Sequence, residues 1–163
     1  DWLGFGPKEM NFSGLSMGTF GALYYGSSYS PHAILVGKPI VNLGDVAANL
    51  KFKRPDEFGT SLDMMQLLVG QVSREGIDLL NQRFWDRFNQ ADLKDTILAM
   101  AYMRDDDYDQ LAYPKILEAL YDRPVRIISS SRPGRHNDAS APIVEWFLTQ
   151  YKEIMERDFG RIE

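Results

Sequence analysis

Gly14-Leu15-Ser16-Met17-Gly18 decides how this chain is read. The five residues follow a short run, Met10 to Ser13, that reads as a strand, and they open a run, Thr19 to Tyr25, that reads as a helix. A serine at the point where a strand turns sharply into a helix sits in strained backbone, and the residues two before and two after are expected to be small so that strand and helix can pass closely. The turn lifts the hydroxyl above the sheet and aims the first helical N–H groups at an incoming carbonyl oxygen. With glycine near 7% of residues in ordinary proteins and serine about as common, roughly one chain in twenty of this length carries the pattern by chance. The surrounding sequence therefore has to agree.

Composition narrows the classes. At 163 residues the chain reads as one domain, long enough to bury roughly 70% of the surface its unfolded form exposes. The formal net charge is -5 and no basic cluster is present, which argues against nucleic acid as a partner. No apolar run approaches the ~20 residues of a membrane span, and no signal peptide is visible at the start. With no cysteine there is no disulfide, thiolate chemistry or cysteine-ligated metal, a usage that fits the cytosol.

Strand and helix patterns alternate along the chain, the mark of a parallel α/β sheet. Gly4-Phe5-Gly6-Pro7 reads as the end of a helix leading into the first strand. After the helix at Thr19, Ala33-Ile34-Leu35-Val36-Gly37 reads as a fully buried strand stopped by Lys38-Pro39. Thr96 to Tyr102 is the third strand and Arg126 to Ser129 the fourth, with helical spacing from Ala112 to Tyr121 between them. A last helix runs from about Ser140 to Arg157, with Pro142 in its first turn and Ile143, Phe147, Tyr151 and Ile154 as its buried stripe. Residues 39–92 break the rhythm and read as several helices, Leu62 to Val69 and Ile77 to Phe88 among them. The pattern as a whole is that of the α/β-hydrolase fold, and residues 39–92 occupy the place of a helical cap over its active site. Such a fold carries about four strands before its serine turn. The chain is therefore expected to be the C-terminal half of a larger fold, whose other half supplies the second oxyanion donor and leaves only the Met17 N–H here.

The serine needs a base and an acid. Of the two histidines, His32 begins the second strand, at the amino edge of the sheet, and reads as structural. His136 lies in the loop Ser131-Arg132-Pro133-Gly134-Arg135-His136-Asn137-Asp138 after the fourth strand. That is the carboxyl edge, where such folds place their sites and where the order serine, acid, histidine puts the base. The acid belongs after the third strand, in Arg104-Asp105-Asp106-Asp107-Tyr108-Asp109. Asp106 is preferred to Asp105 and Asp107, with Asp107 or Asp109 suited to helix capping. A calcium loop is rejected, because Gln110 stands where such a loop needs glycine and Ile116 where it needs glutamate. No metal or bound cofactor is expected. Arg132 and Arg135 flank the histidine and read either as anion or sugar contacts or as loop and helix-end partners. Phe84, Trp85 and Phe88 read either as core or as a stacking surface for a sugar, and Lys38, Asn42 and Asp45 as candidate substrate contacts.

Three longer blocks, Phe12 to Gly26, Pro31 to Pro39 and Ser130 to Asp138, resemble the second accessory Sec-system protein family of Gram-positive bacteria. The resemblance runs over nearly the whole chain and covers that family's C-terminal, hydrolase-like part. It implies an O-acetyltransferase acting on N-acetylglucosamine of serine-rich-repeat adhesins, and a role in exporting those adhesins with other accessory Sec proteins and the translocase motor. The family's serine, carboxylate and histidine map to Ser16, Asp106 and His136, and the implied location is cytoplasmic, with membrane association through the export complex. Acetyl would pass from a donor whose identity the residues do not reveal to Ser16, then to a sugar hydroxyl. Resolution by water would make the chain an esterase, and a non-catalytic scaffold of the export machinery is the reading from another class.

Overall fold

The computed structural model describes residues 4–48, 61–70, 73–136, 138 and 141–160. A short 3-10 turn, Pro7–Glu9, leads into strand β1, Asn11–Leu15. Then come α1 (Gly18–Gly26), β2 (Ala33–Gly37), α2 (Leu43–Ala48), α3 (Ser61–Val69), α4 (Arg74–Phe88), β3 (Ile97–Met103), α5 (Asp107–Ala119), β4 (Arg126–Arg132) and α6 (Ala141–Phe159). The helix expected to end near Gly4 falls on residues before it, outside the described ones.

The four strands are parallel and stand in sequence order, β1-β2-β3-β4. Parallel neighbours joined by crossovers of one hand put every crossover helix on the same face. The packing agrees. Ala22 and Leu23 of α1, Phe84 and Phe88 of α4, and Ala112 and Ile116 of α5 share one core with Ile34, Val36, Leu98 and Met100 of the sheet. The alternate residues Ala33, Leu35, Ile97 and Ala99 face the other way and pack on Ile154, Phe147 and Trp146 of α6. With both faces covered, β2 and β3 must be apolar at every position, which is why they read as unbroken apolar runs. The fold is thus a parallel sheet flanked by helices, as the alternating pattern predicts.

The elements begin and end close to where the sequence puts them, with three departures. Strand β4 continues three residues past Ser129, because Ser130, Ser131 and Arg132 keep pairing with Ala101, Tyr102 and Met103 and an edge strand tolerates polar residues. Helix α5 starts at Asp107, five residues before Ala112, with Asp106 as its N-cap and Pro114 inside it. The third concerns residues 39–92. α4 is not a cap: it is the crossover helix between β2 and β3, capped by the Ser73 Oγ accepting from the Gly76 N–H. Its Phe84 and Phe88 are fully buried. The short α2, absent from the sequence reading, crosses α4 so closely that a Cβ on Gly44 would lie 2.0 Å from the Ile77 carbonyl oxygen. The rest of the expected cap is α3, which packs on α2 and α4, and residues 49–60 and 71–72, which lie outside the described ones.

Because the strands are parallel, four connections leave the same carboxyl edge. Ser16 follows β1, Lys38 follows β2, residues 104–109 follow β3, and His136 follows β4.

Candidate active site

Ser16 takes φ +54°, the left-handed region that a non-glycine residue occupies only when its surroundings impose it. Three contacts impose it here. The Ser16 N–H donates to the Gly37 carbonyl at the end of β2, 2.8 Å away. The Ser16 carbonyl accepts from the Thr19 N–H at 2.9 Å and from the Thr19 hydroxyl at 2.6 Å. That hydroxyl in turn accepts from the Ile40 N–H at 2.8 Å, tying the turn to the segment after β2. Thr19 is fully buried and was not singled out by sequence; its place in the first turn of α1 is the only signal it gives. Gly14 meets the steric expectation, since a Cβ there would lie 2.2 Å from the Gly18 carbonyl oxygen. Gly18 does not. A Cβ on it would meet nothing within 4 Å, so the closeness of strand and helix rests on Gly14 alone.

The serine hydroxyl is 2.7 Å from His136 Nε2, and His136 Nδ1 is 3.1 Å from Asp109 Oδ1. The other Asp109 oxygen accepts from the Met103 N–H at 2.6 Å, which fixes the carboxylate against the end of β3. An ionised carboxylate can only accept, so Nδ1 carries the proton and Nε2 is left free to accept from Ser16. Asp109 is fully buried and His136 6% exposed. Burial is the main influence on Asp109 and pushes its pKa above the ordinary aspartate value; the bonds from His136 and Met103 pull it down, and the Asp106 charge adds to the rise.

This arrangement corrects the sequence-based choice of acid. Asp106, preferred there, does not reach the ring. Its Oδ1 accepts from the Tyr108 N–H at 2.9 Å, capping α5, and its Oδ2 accepts from the His136 main-chain N–H at 2.6 Å. Asp105 is exposed and accepts from the Gly134 N–H at 2.7 Å. The Asp107 side chain lies outside the described residues. The start of α5 explains the shift: a helix beginning at Asp107 puts Asp109 in its first turn, where side chains lean back toward the N-terminus and the strand end. Asp106, Asp109 and His136 bring ligand atoms within 4.8 Å of one another, a spacing a cation could use. Yet Asp109, Asp106 and both ring nitrogens are engaged in the hydrogen bonds just described, so the cluster reads as a proton-handling network.

Other candidates separate. Lys38 is 5% exposed, with its ammonium donating to the His136 carbonyl oxygen. Buried Asn42 accepts from the Trp85 indole N–H at 3.0 Å, and Asp45 lies in the first turn of α2. Lys38 and Asn42 are therefore structural neighbours of the site rather than groups offered to a substrate. Phe84 and Phe88 are core. Arg132 donates to the Ser130 hydroxyl and the Ser131 carbonyl, and the Arg135 N–H to Asp138. His32 stands at the opposite edge of the sheet, 2.8 Å from Asp158 and edge-on to Phe159; Arg157, then His32, hold the Asp158 carboxyl well below the usual range.

Known proteins are similar to this chain in sequence and in fold. A family model described as accessory Sec system GspB-transporter matches residues 1–161. An accessory Sec system protein of Staphylococcus aureus is 47% identical over 161 residues, which are 99% of this chain and 31% of the relative. One of Streptococcus gordonii is 40% identical over 159 residues, 98% of this chain and again 31% of the relative. The chain thus spans about a third of the length of these relatives. Among solved structures, the Glycosylation Associate Protein (Gap123) complex from Streptococcus agalactiae matches with a TM-score of 0.90 at 42% identity, over 99% of this chain and 31% of that one. The capsule O-acetyltransferase of Neisseria meningitidis serogroup A matches with a TM-score of 0.71 at 19% identity, over 94% of this chain and 58% of that one, a likeness of fold alone.

Proposed function

Because the chain belongs to the accessory Sec system GspB-transporter family, we propose that its Ser16 centre serves that system as an O-acetyltransferase, moving acetyl groups onto N-acetylglucosamine of serine-rich-repeat adhesins. The observation that carries this reading is the unbroken line Ser16 Oγ, His136, Asp109, at the carboxyl edge of a parallel sheet whose fold is also that of a capsule O-acetyltransferase. Ser16 is the nucleophile, His136 the general base and acid, and Asp109 the group that fixes the tautomer and supports the imidazolium.

The reaction runs in two halves. Ser16 Oγ attacks the acetyl carbonyl of the donor as Nε2 takes its proton, and the Met17 N–H receives the developing oxyanion. Collapse breaks the bond to the donor's leaving group, which takes the proton back from His136. A sugar hydroxyl then gives its proton to Nε2 and attacks the acetyl-serine; Ser16 leaves and recovers the proton. The rest of the full-length protein supplies the second oxyanion donor and the surface for other accessory Sec proteins, a partnership that the similarity to the Gap123 complex supports. Among the described residues no helix is long and apolar enough to cross a membrane.

The test is mass spectrometry of adhesin glycans from cells carrying full-length protein, intact or Ser16→Ala. Acetyl groups that vanish with the serine while the adhesin is still exported match the proposal and separate acetylation from transport. Glycans equally acetylated in both strains would overturn it, and acetyl release to water by the purified protein with no transfer to glycan would make the centre an esterase.

A further inference from the structure

Among the described residues Lys38 is the one buried lysine, and its position is costly. It takes φ +57°, a strained conformation for a side chain of this kind, and it buries an ammonium, which is unfavourable unless strong acceptors meet it. The N–H of Lys38 donates to the Ala101 carbonyl of β3 at 2.8 Å, so the turn after β2 is pinned to the neighbouring strand. From there the side chain runs beneath the histidine loop and its ammonium donates to the His136 carbonyl oxygen. The N–H of the same residue donates to Asp106 Oδ2 at 2.6 Å. Both polar main-chain groups of His136 are thus held by buried, charged side chains from two different strand ends, independently of what Asp109 does to the ring.

We propose that Lys38 is a positioning residue of the acyl-transfer centre: with Asp106 it fixes the main chain of His136, so that Nε2 is held on the Ser16 hydroxyl. This rests on the reading of Ser16, His136 and Asp109 given above and adds to it a residue that touches no reacting atom. Asp109 can orient the imidazole plane but cannot fix where the ring is rooted. The histidine loop follows the edge strand β4 and is tied to the end of β3 at Gly134, through Asp105; two residues further on, the main chain of His136 is met by Lys38 and Asp106. A misplacement of ~1 Å in such a centre costs on the order of 100-fold in rate.

The experiment uses the full-length protein that contains this segment and a fluorophosphonate probe, which labels an activated serine without any acetyl donor or glycan. Lys38→Met removes the ammonium and keeps an unbranched stem, and Lys38→Arg restores a cation that can donate to the same carbonyl. The expected result is a saturating labelling rate constant about 10- to 100-fold lower in Lys38→Met, an unchanged half-saturating probe concentration, and most of the rate recovered in Lys38→Arg. Thermal unfolding confirms that each variant is folded; should Lys38→Met not fold, Lys38→Gln replaces it, with the same two outcomes. A folded Lys38→Met or Lys38→Gln that labels as fast as wild type would overturn the proposal, and so would Lys38→Arg remaining as slow as Lys38→Met. Failure of the wild type itself to label at Ser16 would overturn both the proposal and the acyl-transfer reading beneath it, a result distinct from the first.

Discussion

Asp109 accepts from His136 Nδ1 with one oxygen and from the Met103 N–H with the other, so an asparagine in its place has to choose. Turning its oxygen to Met103 leaves the amide NH2 facing Nδ1, which must then be unprotonated; the proton moves to Nε2 and the base is lost. Asp109→Asn should lower acetyl transfer by about 10⁴-fold, the scale of that substitution in a serine-protease triad. Its stability should move the other way. A folded-state pKa above the ordinary value means that the folded chain holds this proton more tightly than the unfolded one. The contribution of Asp109 therefore favours folding at low pH and declines as pH rises from about 4 through the raised value. Asparagine does not titrate, so the melting temperature of Asp109→Asn relative to wild type should improve between pH 4 and pH 7. A variant that grows relatively less stable with pH would contradict the burial argument. Asp106→Asn keeps one oxygen for the two N–H groups of Tyr108 and His136, so it should cost about 1–3 kcal/mol through the donor left unmet and less activity than Asp109→Asn; Asp105→Asn, whose amide oxygen still accepts from Gly134, should cost little of either. If Asp106→Asn proved the severe one in an acetyl-ester assay, the assignment of the acid would be wrong. The run of acidic residues was legible as the place of the acid. Which residue reached the ring was not, because that depends on where α5 begins.

At the scale of the element, the turn at Ser16 depends on one close approach. Gly14→Ala would drive a Cβ to 2.2 Å from the Gly18 carbonyl oxygen, against main chain rather than the flexible end of a side chain. The variant should lose nucleophilic activity and a large part of its stability, read by fluorophosphonate labelling and thermal unfolding. Gly18→Ala meets open space, and alanine gains up to ~1 kcal/mol over glycine within a helix, so it should fold at least as well as wild type and keep its labelling. Equal damage from both would restore the symmetric steric reading of the five-residue motif. The motif, the strand before it and the helix after it were all readable, because turn chemistry and apolar runs are local. The start of α5 was missed because the Asp106 cap lies within an acidic run that also looks like a solvated turn, while Pro114 obscures the helix beyond it.

For the molecule as a whole, strand order follows from sequence order, and that puts three crossover helices on one face and the four connections that meet at the candidate site on one edge. The apolar runs of β2 and β3 made the parallel sheet legible. The role of residues 39–92 was less so, since a crossover helix and a cap helix share one amphipathic pattern and differ only in what the apolar stripe meets. For α4 it meets the sheet. Phe84→Ala should therefore destabilise the protein by about 3–5 kcal/mol in denaturant unfolding, whereas a sugar-stacking phenylalanine would leave stability nearly untouched and weaken substrate binding instead. The layering also bears on chemistry, because Ser16, Asp109 and His136 come from the segments after three different strands, Asp109 from the first turn of α5, and meet only when the sheet is formed. Their joint action is tested most directly by brief exposure of the full-length protein to a small acetyl ester, acid quenching, and peptide mapping by mass spectrometry. The account predicts an acetyl group on the peptide containing Ser16 in the wild type, and none there in folded Ser16→Ala or His136→Ala. Acetylation of that peptide that persists without His136, or a folded wild type that never carries acetyl on Ser16, would contradict it.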